Sequence, residues 1–259
     1  MTKIDKAIWK IKSIFFRAYI KINENTFGSG YQRIKYLLRN KRNNELVVVF
    51  SGFQPVGTKP IFNMVRTLWS VKKNQLFILD DFGYNNRGAV YLGENGDFFL
   101  IPQIVKLIEV IIKENNINKL YCVGSSKGGW AALYYGLVCN ADLIIAGAPQ
   151  YYYGNYLSEN EEHLKILNSI MGDTSDQSIS YLNDFLRKEI FSHKSAQKKP
   201  KIVVHYSKNE HTYNEHISFL LEDLRKLKYY VEEDIEEYLE HSQVSDYFPT
   251  FLITRLIKG

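Results

Sequence analysis

Near its start the chain repeats apolar residues every three or four positions: Ile4, Ile8, Ile11, Phe15, Ala18 and Ile22. Lys6, Lys10, Arg17 and Lys21 fall on the opposite face. This spacing predicts an amphipathic helix over 4–22. Such a helix either packs on the body or docks on a partner or an anionic membrane surface. The turn FGSG (27–30) separates it from a second short helix expected around Tyr31–Arg39. Beyond KRNN the rhythm changes to short apolar runs rich in β-branched residues: LVVVFS (46–51), QLFILD (75–80), KLYCVG (119–124), DLIIAG (142–147) and KIVVHY (201–206). An alternating segment, Tyr229–Ile235, adds a last strand. Each run is bounded by turn-forming residues, as buried parallel strands are. Helical stretches lie between or after them at Ile101–Asn115, Lys127–Val138, Ile217–Leu227 and Asp246–Ile257. The order predicts a mostly parallel sheet with helices on both faces. Residues 150–198 interrupt it with a YYYGNY run and two helices near Glu161–Ile170 and Ile179–Phe191, placed to cap the carboxyl ends of the strands. The expected organisation is a basic helical leader, 1–42, followed by one α/β domain, 43–259.

Charge sharpens this division. Residues 1–42 hold eleven Lys and Arg against Asp5 and Glu24, a net charge of +9 within a chain of only +5 overall. The body is therefore mildly acidic, which argues against nucleic acid as its partner. Composition is ordinary for a globular protein, with 45% hydrophobic and 24% charged residues. Cys122 and Cys139 both sit in apolar stretches and make no disulfide framework. With no membrane-spanning run and no secretory-signal pattern at the start, a cytoplasmic protein is expected, peripheral at the inner face of the membrane if the leader docks there.

The chemistry begins at Gly124-Ser-Ser126-Lys-Gly128. An apolar strand, G-x-S-x-G and a helix opening with small residues describe a nucleophile elbow, in which Ser126 sits in a strained turn and flanking glycines make room for it. The alternative is a Gly-rich turn that is inert or binds phosphate, though it lacks the phosphate-loop spacing. The Lys127 amide, at the helix start, is a candidate oxyanion donor. A second donor is expected after the first strong strand, at Ser51-Gly52-Phe53-Gln54, with the Phe53 amide first and Gln54 second. Gly52 would let backbone approach the substrate.

A serine nucleophile needs a base. His241, in a polar loop between the last strand and the terminal helix, fits the chain order serine, acid, histidine. Glu210 follows the fifth strand, where the acid belongs, with Glu215 as a second possibility. His205, His211 and His216 crowd the same region but match no standard metal-ligand spacing, so no metal is expected.

With these residues in place the chain resembles an α/β-hydrolase. More narrowly it resembles bacterial capsular polysaccharide biosynthesis proteins of the XcbB/CpsF type, and it is similar to the sugar O-acetyltransferases of the accessory Sec system. The segments carrying this are FSGFQP, DDFGYNNRGAVYLGENGDFF, VGSSKGGWAALYYGL, HYSKNEHTYNEH and EHSQVSDYF, spread over roughly 45–258. The resemblance implies a glutamate as triad acid, favouring Glu210. It also implies acetyl transfer to sugar hydroxyls in surface-glycan assembly. No permanently bound cofactor is expected; the acyl donor, with acetyl-CoA as a candidate, is a co-substrate. The expected partners are a carbohydrate acceptor and, through residues 1–24, a glycosyltransferase or an anionic membrane. Arg87 is a candidate to hold an acidic group, or else forms a structural ion pair with Asp80 or Asp81. Tyr151 heads an aromatic run suited to stacking on sugars, or to packing. A hydrolytic esterase with the same triad and a non-catalytic scaffold are the competing readings.

Overall fold

A computed structural model describes residues 3–193 and 198–258, with the side chains before Ser13 and that of Lys258 outside it. The apolar runs form an eight-stranded sheet in the order β1-β2-β4-β3-β5-β6-β7-β8. Its parallel part comprises β3 (Glu45–Phe50), β4 (Asn74–Leu79), β5 (Lys119–Ser125), β6 (Leu143–Gly147), β7 (Lys201–Ser207) and β8 (Val231–Glu236). Every residue of β4 is buried, and in β3 every one but Glu45, which requires cover on both faces. Helix α3 (Lys127–Val138) supplies it on one side and α8 (Val244–Lys258) on the other. A Cβ added to Gly136 of α3 would meet Ile144, whereas one added to Gly147 would meet Phe248 of α8. Ile144 and Gly147 stand an odd number of positions apart on β6, hence on opposite faces.

The expected second helix at Tyr31–Arg39 is not formed. The segment carries β2 (Ile34–Arg39), which pairs antiparallel with β4 and with β1 (Glu24–Phe27). IKYLLR is short enough to suit either period, and pairing with the open edge of β4 decides it. Lys35 bonds Asp81 at 2.5 Å, and the buried Arg39 donates to Gln75 Oε1 at 2.7 Å and to the Val65 carbonyl at 3.0 Å. Within the basic segment, therefore, β1 and β2 belong to the sheet, while α1 (Lys3–Asn23) stands outside it.

Among the described residues, helix α1 rests on the body chiefly through Phe16 and Tyr19, outside the expected stripe, with Phe15 of that stripe also meeting the Trp69 ring at 5.9 Å. Phe16 and Tyr19 each meet the Trp69 ring at 5.2 Å, and the Arg39 guanidinium lies 4.4 Å over that ring. Of the predicted stripe, Phe15 is 53% and Ile22 79% exposed; the Ile4, Ile8 and Ile11 side chains fall outside the described residues. The insertion folds as α4 (Tyr153–Ser158), α5 (Glu161–Met171) and α6 (Asp176–Ser192), with α2 (Leu100–Glu114) and α7 (Ser218–Lys226) completing the helices named here. The YYYGNY run thus yields an unforeseen short helix, α4.

Candidate active site

Because β3 and β5–β8 run parallel, the segments that follow them gather at one edge of the sheet, where α/β proteins bind ligands. Ser126 follows β5 with φ 53° and ψ −124°, a strained geometry for a residue with a side chain. The flanking glycines are obligatory there. A Cβ on Gly124 would lie 2.3 Å from the Gly128 carbonyl oxygen, and one on Gly128 would lie 2.2 Å from that of Phe50.

His241, after β8, places Nε2 2.9 Å from Ser126 Oγ and Nδ1 3.0 Å from Glu210 Oε2. Glu210 follows β7 and is 1% exposed. Its second oxygen accepts from the Thr212 hydroxyl at 2.7 Å. With Nδ1–H donated to the carboxylate, Nε2 carries the lone pair and can take the serine proton. Glu215, the second possibility for the acid, points elsewhere and lines a neighbouring cleft with His211 and His216. The histidine crowd is thereby divided, since His205 is buried against Phe248 and Phe251 and bonds Asp234 at 2.6 Å.

The loop after β3 is held from below. Tyr91 donates to the Ser51 carbonyl at 3.1 Å, and the Ser51 hydroxyl accepts from the Asn63 amide at 3.0 Å. Gln54 donates to Asn63 Oδ1 at 3.0 Å, which keeps its side chain beside the loop. A Cβ on Gly52 would approach the Ser125 carbonyl oxygen to 3.4 Å. Lys127 opens α3, so its amide has no intrahelical partner. Its side chain is buried and bonds Asp80 at 2.9 Å. Burial pulls the ammonium below its usual pKa while the Asp80 carboxylate opposes the shift. Lys127 takes the partner considered for Arg87 at Asp80, and Lys35 takes the one at Asp81. The Arg87 side chain is 10% exposed, with its guanidinium 5.7 Å from the Phe53 ring centre and 3.9 Å from Glu162. Its Nε and Nη1 have no hydrogen-bond partner.

Two findings depart from the expected site. Tyr151 is fully buried and donates to Asp223 at 2.8 Å, so it offers no surface to a substrate. The next residue, Tyr152, is half-buried and lines the cleft with Glu159 instead. Gln150, by contrast, was not foreseen. It is fully buried after β6, and its amide nitrogen lies 3.1 Å from Ser126 Oγ and 3.0 Å from His241 Nε2. Only its position after a strand of the parallel set could have signalled it.

Two clefts flank this centre. One, of about 350 Å³, is lined by Phe16 and Ile20 of α1, by Ile61, Phe62 and Met64, and by Gln54 and Ser125. The other, of about 420 Å³, lies towards Glu159 and His211. A larger cavity of about 570 Å³ opens at the amino ends of β5–β7. It is remote from Ser126, and its cations are paired with Glu45 or Glu232.

No protein-family model matches the chain, and no curated protein matches it in sequence. Solved structures do match. A capsule O-acetyltransferase of Neisseria meningitidis serogroup A superposes with a TM-score of 0.72 at 23% identity, over 90% of this chain and 94% of that one. A glycosylation-associated protein complex from Streptococcus agalactiae gives 0.72 at 21% identity, over 90% of this chain and 45% of the other. An acylaminoacyl peptidase of Pyrococcus horikoshii gives 0.62 at 15% identity, covering 90% and 39%. The fold is that of an α/β-hydrolase. No helix among the described residues is long and apolar enough to cross a membrane.

Proposed function

We propose that this α/β-hydrolase fold is an O-acyltransferase, moving an acetyl group from a thioester donor to a carbohydrate hydroxyl in capsule or surface-glycan assembly. Ser126 Oγ attacks the thioester carbon while His241 Nε2 takes its proton and Glu210 steadies the imidazolium. The Lys127 and Phe53 amides receive the oxyanion, and Arg87 and Gln54 brace the loop that carries Phe53. Collapse expels the thiolate, which takes the proton from His241 and leaves acetyl-Ser126. A sugar hydroxyl then gives its proton to His241 and attacks the ester, and Ser126 regains the proton as it departs.

The observation that favours transfer over hydrolysis is Gln150. A hydrolytic water must sit against both His241 Nε2 and the acylated Ser126 Oγ, and the Gln150 amide occupies that position. Displacing it forfeits hydrogen bonds of about 1 kcal/mol each. An acceptor held by further contacts can offset this, because a well-placed group reaches effective molarities of about 10⁵ M or more. The similarity to a capsule O-acetyltransferase supports the same reading, and a structure of that enzyme is in complex with CoA. We assign the apolar cleft beside Gln54 and Ser125 to the donor's thioester arm.

Incubation with acetyl-CoA tests this. Mass spectrometry should find acetyl on Ser126, and an added glycan acceptor should remove it as acetylated sugar. Failure of Ser126 to react with acetyl-CoA or with a fluorophosphonate probe would support the scaffold reading. Fast release of free acetate whatever acceptor is added would support an esterase.

For α1 we propose an anchoring role at an anionic membrane surface. Ile14, Phe15 and Ile22 are exposed, and Arg17 and Lys21 lie beside them. Sedimentation with vesicles rich in anionic lipid should weaken as salt rises.

A further inference from the structure

The second cleft has a chemistry of its own. Tyr152 and Glu159 bound it on the cap side, and His211, Glu215, His216 and Phe219 bound it on the side that follows β7. It adjoins the catalytic base, with the His211 ring centre 6.3 Å from that of His241. His216 is 1% exposed, and its Nδ1 accepts from the Tyr152 amide at 3.2 Å. A neutral imidazole that accepts at Nδ1 carries its proton on Nε2. Burial, reinforced by His211 and His241, holds the His216 pKa down to about 4, so the ring is neutral at pH 7. Its Nε2 has no hydrogen-bond partner. Glu159, Glu215 and His216 each present an atom within 4.8 Å of the others'. Beside them the Tyr152 and Phe219 rings stand 5.3 Å apart, with Phe219 43% exposed.

We infer that this cleft is the acceptor subsite and that it takes an uncharged or amino-bearing hexopyranose rather than an acidic one. The inference rests on the transfer reading above and names the class of its acceptor. A pyranose offers adjacent hydroxyls, which donate to carboxylates, and a C–H face, which lies on aromatic rings. Glu159 and Glu215 are the acceptors for the hydroxyls. Phe219 and Tyr152 form the platform, and the unpaired His216 Nε2–H donates to a sugar oxygen. A carboxylate or phosphate on that sugar would sit beside two like charges. A divalent cation is a poorer occupant, since His216 Nε2 bears a proton where a metal needs a lone pair.

Saturation-transfer NMR on the full chain tests the assignment with methyl glycosides of N-acetylglucosamine, glucosamine and glucuronic acid, and with N-acetylglucosamine 1-phosphate. The neutral and amino sugars should bind at least about ten-fold more tightly than the two acidic ones. Phe219→Ala should weaken the neutral sugars by about ten-fold, and Glu215→Gln should narrow the gap between neutral and acidic sugars. Acidic sugars that bind as well as neutral ones would overturn the inference, as would binding indifferent to Phe219→Ala. So would tight uptake of Mn²⁺ or Zn²⁺ abolished by Glu159→Gln and competitive with sugar. Acetylation of Ser126 is read separately. Acetyl-Ser126 without neutral-sugar binding sinks the subsite alone, and sugar binding without acetyl-Ser126 sinks the transfer reading alone.

Discussion

The two clefts beside Ser126 are similar in volume, about 350 and 420 Å³, yet opposite in chemistry. The first is walled by Phe16, Ile20, Ile61, Phe62 and Met64 and suits a flexible apolar arm. The second holds two carboxylates, two histidines and two aromatic rings and suits a polyhydroxylated ring. A hydrolase needs one such pocket, because water requires none. Two unlike pockets, one reaching Ser125 and the other His211 beside His241, are what the proposed two-substrate transfer requires. Gln150 lies against both Ser126 Oγ and His241 Nε2, and in the proposed reaction it is the group that a water would have to displace.

The sharpest way to break this comparison is to remove the hydroxyl that lies between the two clefts in the proposed reaction. Ser126→Ala should lower acetyl transfer by at least about 10³-fold with the melting temperature little changed, measured in a steady-state assay with acetyl-CoA. Retained transfer would move the chemistry elsewhere.

Acidification distinguishes the clefts next, because only the polar one contains a buried neutral histidine. The folded-state pKa of His216, about 4, lies below the ordinary 6.5, and burial is the chief cause. Between those values the unfolded chain binds the proton and the folded chain does not, so stability falls as pH drops from 6.5 towards 4. The loss from this residue is on the order of 3 kcal/mol. Urea unfolding at pH 7 and pH 4.5 should show a smaller pH dependence in His216→Gln than in the parent. An equal dependence would mean that the ring is not buried as neutral imidazole.

Gln150→Ala should then raise release of free acetate from the acetyl-enzyme and lower the ratio of transfer to hydrolysis by roughly 10- to 30-fold, about 1.4–2 kcal/mol. Burst kinetics with a chromogenic acetate ester and a sugar acceptor would measure it. A ratio unchanged by the substitution removes Gln150 as the barrier to water. The smallest effect is expected at the rim of the apolar cleft. Ile61 is 55% exposed there, and Ile61→Asp should raise the donor KM about five-fold while shifting the acceptor KM less. The reverse order would exchange the two assignments.

Much of the site was legible because its signals are local or ordinal. The elbow needs Gly124 and Gly128 within two residues of Ser126, and backbone sterics alone impose that. Glu210 and His241 were reachable because a parallel sheet delivers the segments after successive strands to one edge in chain order. Other features lacked such a signal. Tyr151 and Tyr152 are adjacent tyrosines, and only packing against Asp223 decides which is buried. IKYLLR (34–39) satisfies a helical and a strand pattern equally, and the unpaired edge of β4 settles it.

The sequence by itself determined the parallel sheet and the strained serine turn, which follow from periodicity or steric need within a few residues, and the chain order of Ser126, Glu210 and His241, which follows from the order of the strands. Tertiary structure alone decided which face of α1 meets the body, where Gln150 points and how Glu159 meets Glu215 and His216. Those residues are brought together by segments that follow different strands, and contacts between segments distant in the chain leave no periodic trace in it.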